Sequence, residues 1–182
     1  QIKDSFFITK LSNIKGRAAQ MNLGASIAKG NILLFLHADT KLPHNSLSLI
    51  TETLTDKTIS AGAFDLAFSS TKLKYKLLAK LASLRSRLTR IPFGDQAIFI
   101  NKATFEKVNG FADIPLLEDI ELMKKLRSNN QLIKIINTPV HTSIRRWEEK
   151  GFFKASAINI LCQVMYKLGI SPKNIAKLYY GK

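Results

Sequence analysis

A chain of 182 residues, 46% hydrophobic and 23% charged, has the size and composition of one globular domain with a proper core. Its 28 lysines and arginines against 13 acids leave a net charge of +15, which implies an anionic partner: nucleotide phosphates, nucleic acid or an acidic membrane surface. The single cysteine, Cys162, excludes an internal disulfide and fits a reducing, cytoplasmic compartment, and the residues given contain neither a bilayer-length apolar run nor a secretory signal pattern.

Residues 5–8 (SFFI) predict a short strand. Ala18, Met21, Ala25 and Ala28 then recur at helical spacing and predict a helix over 17–29, with Gly30 placed to end it. Residues 32–36 (ILLFL) form a continuous apolar run, as in a strand buried on both faces. This strand–helix–strand unit implies parallel strands and a right-handed crossover. His37, Ala38 and Asp39 follow at the strand's carboxyl end, where open α/β sheets bind ligands.

A helix opening at Asn45 or Ser46 carries Leu47, Ile50 and Leu54 on one side, and residues 62–68 (GAFDLAF) alternate as a half-buried strand does. Residues 72–90 predict a helix striped by Leu73, Leu77, Leu81, Leu84 and Leu88. Its charges are all basic (Lys72, Lys74, Lys76, Lys80, Arg85, Arg87 and Arg90), which suits either a solvated face or an anionic membrane surface. A turn over 92–96 precedes a strand at 97–100, and a short helix at 102–109 closes on Gly110. Residues 116–127 predict a helix with Glu118, Asp119 and Glu121 in its first turn, where the macrodipole favours acids. Strands are expected at 132–136 and 140–144, then Arg145, Arg146 and Trp147, and helices at 152–168 and 172–180.

Four clusters carry chemistry-bearing residues: Gly16–Arg17, His37–Asp39, Glu118–Asp119 and residues 145–147. Asp39 offers one carboxylate to Mg²⁺ or Mn²⁺, leaving other positions to water and substrate phosphates, and His37 suits Mn²⁺ better than Mg²⁺. Arg17, Arg145 and Arg146 present forks for phosphate oxygens. Asp119 or Glu118 is a candidate general base. Each has a plainer alternative: a turn cap for Asp39, a helix start for the two acids, solvated surface for each arginine, core packing for Trp147. Asp95, in the loop before a strand, has a turn-forming alternative of the same kind.

In their order, these stretches resemble family 2 glycosyltransferases, whose catalytic domain has the GT-A fold. The matching segments are KGRAAQMNLGASIAKGNILLFLHADTKLP, FGDQAIFINKATFEKVNGF, LLEDIELMKKLR and RRWEEKG, spread over nearly the whole chain. The chain is most similar to a branch of small bacterial transferases encoded near radical-SAM proteins. The resemblance implies an α/β fold with a mostly parallel sheet and helices on both faces. It assigns Asp39, with His37 beside it, to a divalent metal (Mn²⁺ or Mg²⁺) and the donor diphosphate. Gly16, Arg17 and Asn22, with Arg145 and Arg146, fall to the nucleotide-sugar donor. Asp119 becomes the base, with Glu118 beside it. Gly94, Asp95, Gln96 and Trp147 fall to the acceptor.

The chain also departs from the family pattern. His37 stands where the first acid of the Asp-x-Asp motif is usual, and Ser143 stands where processive synthases carry Gln. The family's first two strands, which contact base and ribose, have no counterpart here. The 182 residues are therefore expected to form a single catalytic domain lacking the first part of its nucleotide-binding half.

The function expected is inverting transfer of a sugar from a UDP- or GDP-sugar to a hydroxyl acceptor, a lipid among the candidates, in the cytoplasm or at the inner face of the cell membrane. The competing expectation is a truncated, non-catalytic relative that binds an anionic membrane or partner. Nucleic acid is not expected as a partner, because neither an aromatic-plus-basic RNA-binding sheet nor a DNA-reading helix is present.

Overall fold

The structure, a computed structural model, describes Thr9 and residues 15–181. The strand expected at 5–8, and with it the first crossover, lies outside the described residues. From there the chain order is α1 (Arg17–Ile27), β1 (Ile32–Phe35), β2 (Thr40–Lys41), α2 (Ser46–Thr53), β3 (Ile59–Phe68), α3 (Leu73–Thr89), a 3₁₀ turn (Gly94–Gln96), β4 (Ile98–Asn101), α4 (Lys102–Lys107), α5 (Glu118–Ser128), β5 (Leu132–Thr142), α6 (Arg145–Lys150), α7 (Phe152–Lys167) and α8 (Pro172–Tyr180).

The five strands form one sheet in the order β1-β4-β3-β5-β2. The longest pairing, β3 with β5, is parallel, while β4 runs antiparallel to both β1 and β3, and β2 antiparallel to β5. Hence β1, β3 and β5 all point one way, and β4 and β2 run against them. The expected α/β sheet with a shared strand direction is present, and β4, inserted between β1 and β3, makes most direct pairings antiparallel. The two strands expected at 132–136 and 140–144 are one, β5. Its register against β3 shifts between Ile136 and Pro139, an irregularity that accommodates a proline with no N–H to give the ladder.

The alternation of side chains divides the core. Leu33, Ala61, Ala63, Ile98, Ile100, Ile133 and Ile135 face α1, α4 and α5, where Ala18, Ala25, Phe105, Leu122, Met123 and Leu126 complete one cluster. Phe64, Phe99, Ile136 and Val140 point the other way, onto Ile50 of α2. Helices thus cover both faces. Gly62 is required by close packing: a Cβ there would stand 2.3 Å from the Phe99 ring and 2.5 Å from the Lys134 carbonyl.

Two local expectations are corrected, and a third element shows an orientation the spacing left open. Gly30 does not end α1, since the helix closes at Ala28, in extended conformation. Leu47 does not share the inward side of α2 with Ile50, because it is exposed. The leucine stripe of α3 forms and faces outward; the buried face is Tyr75, Ala79, Ser83 and Ser86. The reason lies in the sheet. β4 pairs with β3 only at Ala61 and Gly62, so the rest of that β3 edge needs other partners. The Leu66 N–H donates to Ser83 Oγ, and Gln96 Nε2 donates to the Phe64 carbonyl. Small polar residues let α3 approach a bare backbone edge that leucines would hold away.

Candidate active site

The carboxyl ends of β1 and β5 meet beside the start of α5. After β1 the chain turns through Asp39 into β2, which pairs with β5 at Thr142 and His141. Thr40 Oγ1 donates to Thr142 Oγ1 at 3.1 Å, and the Ser143 N–H donates to the Asp39 carbonyl at 3.2 Å. These bonds set Asp39 against the segment that carries Arg145, Arg146 and Trp147. On the other side, α5 begins at Leu117, a left-handed residue with φ 68°, which turns Glu118 and Asp119 inward. The result is a cavity of about 460 Å³ lined by Arg17, His37, Asp39, Gly94, Asp95 and Asp119, and also by Arg145, Arg146 and Trp147.

Asp119 is held from both oxygens. The Gly94 N–H donates to Oδ2 and the Ile120 N–H to Oδ1, each at 2.8 Å. A Cβ added at Gly94 would stand 2.7 Å from His37 Nε2 and 3.6 Å from Asp119 Oδ2. The imidazole and the carboxylate therefore flank the same glycine, which leaves just enough room for both. Burial, and then the nearby Arg17 charge, pull the His37 pKa down, against the attraction of Asp119 and Asp39. The imidazole is thereby kept neutral, the form that ligates metals.

Glu118 does not reach the cavity. It is buried against the Arg17 guanidinium, which donates to it from Nε and lines the cavity in turn. Burial, then the Asp119 charge, push the Glu118 carboxyl up, against the pull of Arg17. Its place is to fix Arg17 to the start of α5, a contact between residues 101 positions apart.

Asp95 sits beside Asp119. Burial, with the Asp119 charge behind it, pushes its carboxyl up to about 6, against the pull of Arg85. Its Oδ1 is buried without a hydrogen-bond partner, an acceptor position left for a ligand. Arg146 is in the same condition: Nε and Nη2 are buried and unpartnered while the guanidinium stacks on the Tyr179 ring at 3.7 Å. Trp147 is pinned, its Nε1 donating to Ser156 Oγ and its ring edge-on to Phe68 at 4.7 Å, so it gives the cavity a rigid wall. Arg145 is exposed, with Glu149 one turn on at 3.8 Å.

Three other expected ligands do structural work away from the cavity wall. Gly16, at φ 101°, caps α1. Asn22 clamps the Phe111 backbone, donating to its carbonyl at 2.9 Å and accepting from its N–H at 3.0 Å. Gln96 is wholly buried and joins Phe64, Ser86 and the Phe93 N–H. For Asn22 and Gln96, a polar side chain read as a ligand satisfies main chain instead.

Residues the motifs did not point to complete the site. Tyr179 and Tyr180 arrive on α8, which packs back on α7 through Ile175, Ala176 and Cys162. Asn159 and Gln163 of α7 also line the wall, and the Arg85 guanidinium stacks on the cavity-lining Phe93 at 3.4 Å. The sequence signals for α8 are its start, Ser171 capping the helix with Pro172 at its first position, and its amphipathic spacing; nothing local says where it docks.

Among the described residues, no three His, Cys, Asp or Glu side chains gather as a metal cluster. Asp39 and a neutral His37 on one wall still suit an ion that takes few protein ligands and keeps its other positions for substrate phosphates.

A search of the curated proteins finds no match. The family model described as Glycosyl transferase family 2 matches residues 2–112, more than half of the chain. The matched part carries Arg17, His37, Asp39, Gly94 and Asp95 and ends ahead of Asp119 and Arg146. The mixed five-stranded sheet with helices on both faces is consistent with the GT-A, Rossmann-like architecture. On the family match, carried over most of the sheet and the first half of the cavity wall, the chain belongs to glycosyl transferase family 2, and with it to the enzymes of glycosyl transfer.

Proposed function

We propose that the chain moves one sugar from a nucleoside-diphosphate sugar to a hydroxyl acceptor, with inversion at the anomeric carbon. The observation that carries this reading is that Asp39 and Asp119, 80 positions apart in sequence, line one cavity together with Arg17 and the unpartnered Arg146. A cavity that holds a fixed carboxylate together with an unsatisfied guanidinium suits a reaction that removes a proton and releases an anion.

In this reading the acceptor oxygen attacks the anomeric carbon from the Asp119 side, and Asp119 takes its proton. The bond from that carbon to the diphosphate breaks with its electron pair on the diphosphate. The guanidinium groups of Arg17 and Arg146 meet the charge that develops there, Arg146 through the Nε and Nη2 that have no other partner. Asp39 and neutral His37 are the residues that would hold Mn²⁺ or Mg²⁺, which when bound supplies Lewis-acid stabilisation of the diphosphate. Asp95 offers its free oxygen to the acceptor, and Trp147 limits where a sugar ring can lie. The two backbone N–H bonds that orient Asp119 fix the base before substrate arrives, so positioning and electrostatics carry most of the rate.

Titration calorimetry of UDP and GDP with and without Mn²⁺, followed by a nucleotide-sugar hydrolysis screen, tests the reading. It predicts nucleotide binding that tightens at least tenfold with Mn²⁺ and weakens on Arg146→Ala. Binding of neither nucleotide, with or without the metal, contradicts it.

A further inference from the structure

The outer face of α3 is built the opposite way from a solvated helix face. Leu73, Leu77, Leu81, Leu84 and Leu88 are between 52% and 80% exposed. At helical spacing the five fall within an arc of roughly 80°, directly opposite the buried Tyr75, Ala79, Ser83 and Ser86. Lysines and arginines border this stripe on both sides: Lys74 and Arg85 on one flank, Lys76, Lys80 and Arg87 on the other. The helix contains no acid.

α7 lies alongside. Tyr75 and Phe152 pack edge to face at 5.4 Å, and Arg85 donates to Gln163 at 3.3 Å. The two contacts lie 10 residues apart on α3 and 11 apart on α7, in the same order, so the two helices run side by side in the same direction. α7 likewise has no acid, and with its C-cap Leu168 it exposes Phe153, Ile160, Leu161 and Val164, with Phe153 86% exposed. Isolated exposed leucines are ordinary, but ten large apolar side chains on two adjacent helices and the C-cap of α7 are, among the described residues, an unpartnered surface.

We infer that the outer faces of α3 and α7 dock the chain on an anionic lipid bilayer. The leucines would enter the boundary between headgroups and acyl chains while the flanking lysines and arginines meet lipid phosphates. Charge selects this occupant. A second copy set on the same face would bring cations against cations, with no acid on either helix to offset them. A bilayer surface rich in anionic lipid complements the leucine stripe and its cationic borders together. No helix among the described residues is long and apolar enough to cross a membrane, so the contact is in-plane. The opposite side of α7 supplies Asn159, Cys162 and Gln163 to the cavity, so docking would set the cavity about one helix diameter, roughly 10 Å, behind the bilayer surface.

Co-sedimentation of the full chain with vesicles tests this, using phosphatidylcholine alone and a phosphatidylcholine–phosphatidylglycerol mixture. No sugar donor is needed, so the result stands apart from the sugar-transfer reading. Binding to the anionic mixture is expected at least tenfold above binding to the neutral vesicles. Leu77→Ser/Leu81→Ser should weaken it at least tenfold, and Lys76→Gln/Lys80→Gln by about fivefold per lysine, both with wild-type melting curves by circular dichroism. Three results would overturn the inference: equal binding to neutral vesicles, anionic binding that survives the leucine pair, or no vesicle binding by a chain that instead forms a dimer broken by the leucine pair.

Discussion

The two faces of α3 invert the usual order. The inner face is made of small and polar side chains and is buried; the outer face is made of leucines and is exposed. The inner face must satisfy backbone groups that β4, pairing with β3 at Ala61 and Gly62, leaves over. Ser83 accepts from the Leu66 N–H, and Ser86 Oγ donates to Gln96 Oε1 at 2.6 Å. Such groups are costly to bury unpaired, so polarity is what this part of the core requires. The outer face has no such duty. A hydrophobic stripe therefore identifies a helix without saying which side of it meets the sheet.

The strongest way to break this contrast is from the inside. Gln96 is wholly buried and serves the Phe64 carbonyl, the Phe93 N–H and Ser86. Gln96→Ala leaves these groups without their partner and should cost about 3 kcal/mol, read as a lowered urea midpoint with an unchanged slope.

A subtler test uses Asp95, a short step away on the cavity side. Its carboxyl stands at about 6 in the folded chain against an ordinary 3.8, so between these values the folded protein holds a proton the unfolded chain has lost. The resulting stability is full below about 3.8 and disappears as pH rises through about 6. Asp95 should therefore make urea midpoints fall across this window. Asp95→Asn should make that fall shallower, with the share of Glu118, also pushed up, remaining and the acid end unchanged.

The smallest effect belongs to the outer face. Leu81→Gln should shift stability by no more than about 0.5 kcal/mol, since the side chain is already in solvent. A loss of several kcal/mol would mean that the stripe is part of the core after all.

These residues also show what a sequence can and cannot reveal. The helices declared themselves by period: α1, α3 and α5 stand within a few residues of where apolar spacing puts them. Strand direction was harder, because β4 inserts between β1 and β3 through a pairing that no local pattern encodes. At the cavity, Asp39 and Asp119 were visible because each follows an apolar run or opens a helix, positions where strand ends and helix starts present polar groups. Asn22 and Gln96 misled for a physical reason. An amide that clamps distant main chain has the same residue type as one that holds a ligand, and the difference lies in residues far away in the chain, Phe111 and Phe64. Tyr179 and Tyr180 were invisible for the converse reason, since only the docking of α8 on α7 brings them to the wall.

The central claim is that Asp119 is a base held across one cavity from the donor site at Asp39. Asp119→Asn keeps the side chain's shape, and its one oxygen can still accept the Gly94 N–H at the loss of the Ile120 bond, while the proton acceptor is removed. The most direct measurement is its sugar-transfer rate set beside its nucleotide affinity. The account predicts a rate lowered by ~10²–10⁴ with nucleotide affinity within about twofold of the parent, whereas Asp39→Asn loses the metal-dependent part of that affinity. Transfer by Asp119→Asn at the parent rate would contradict it.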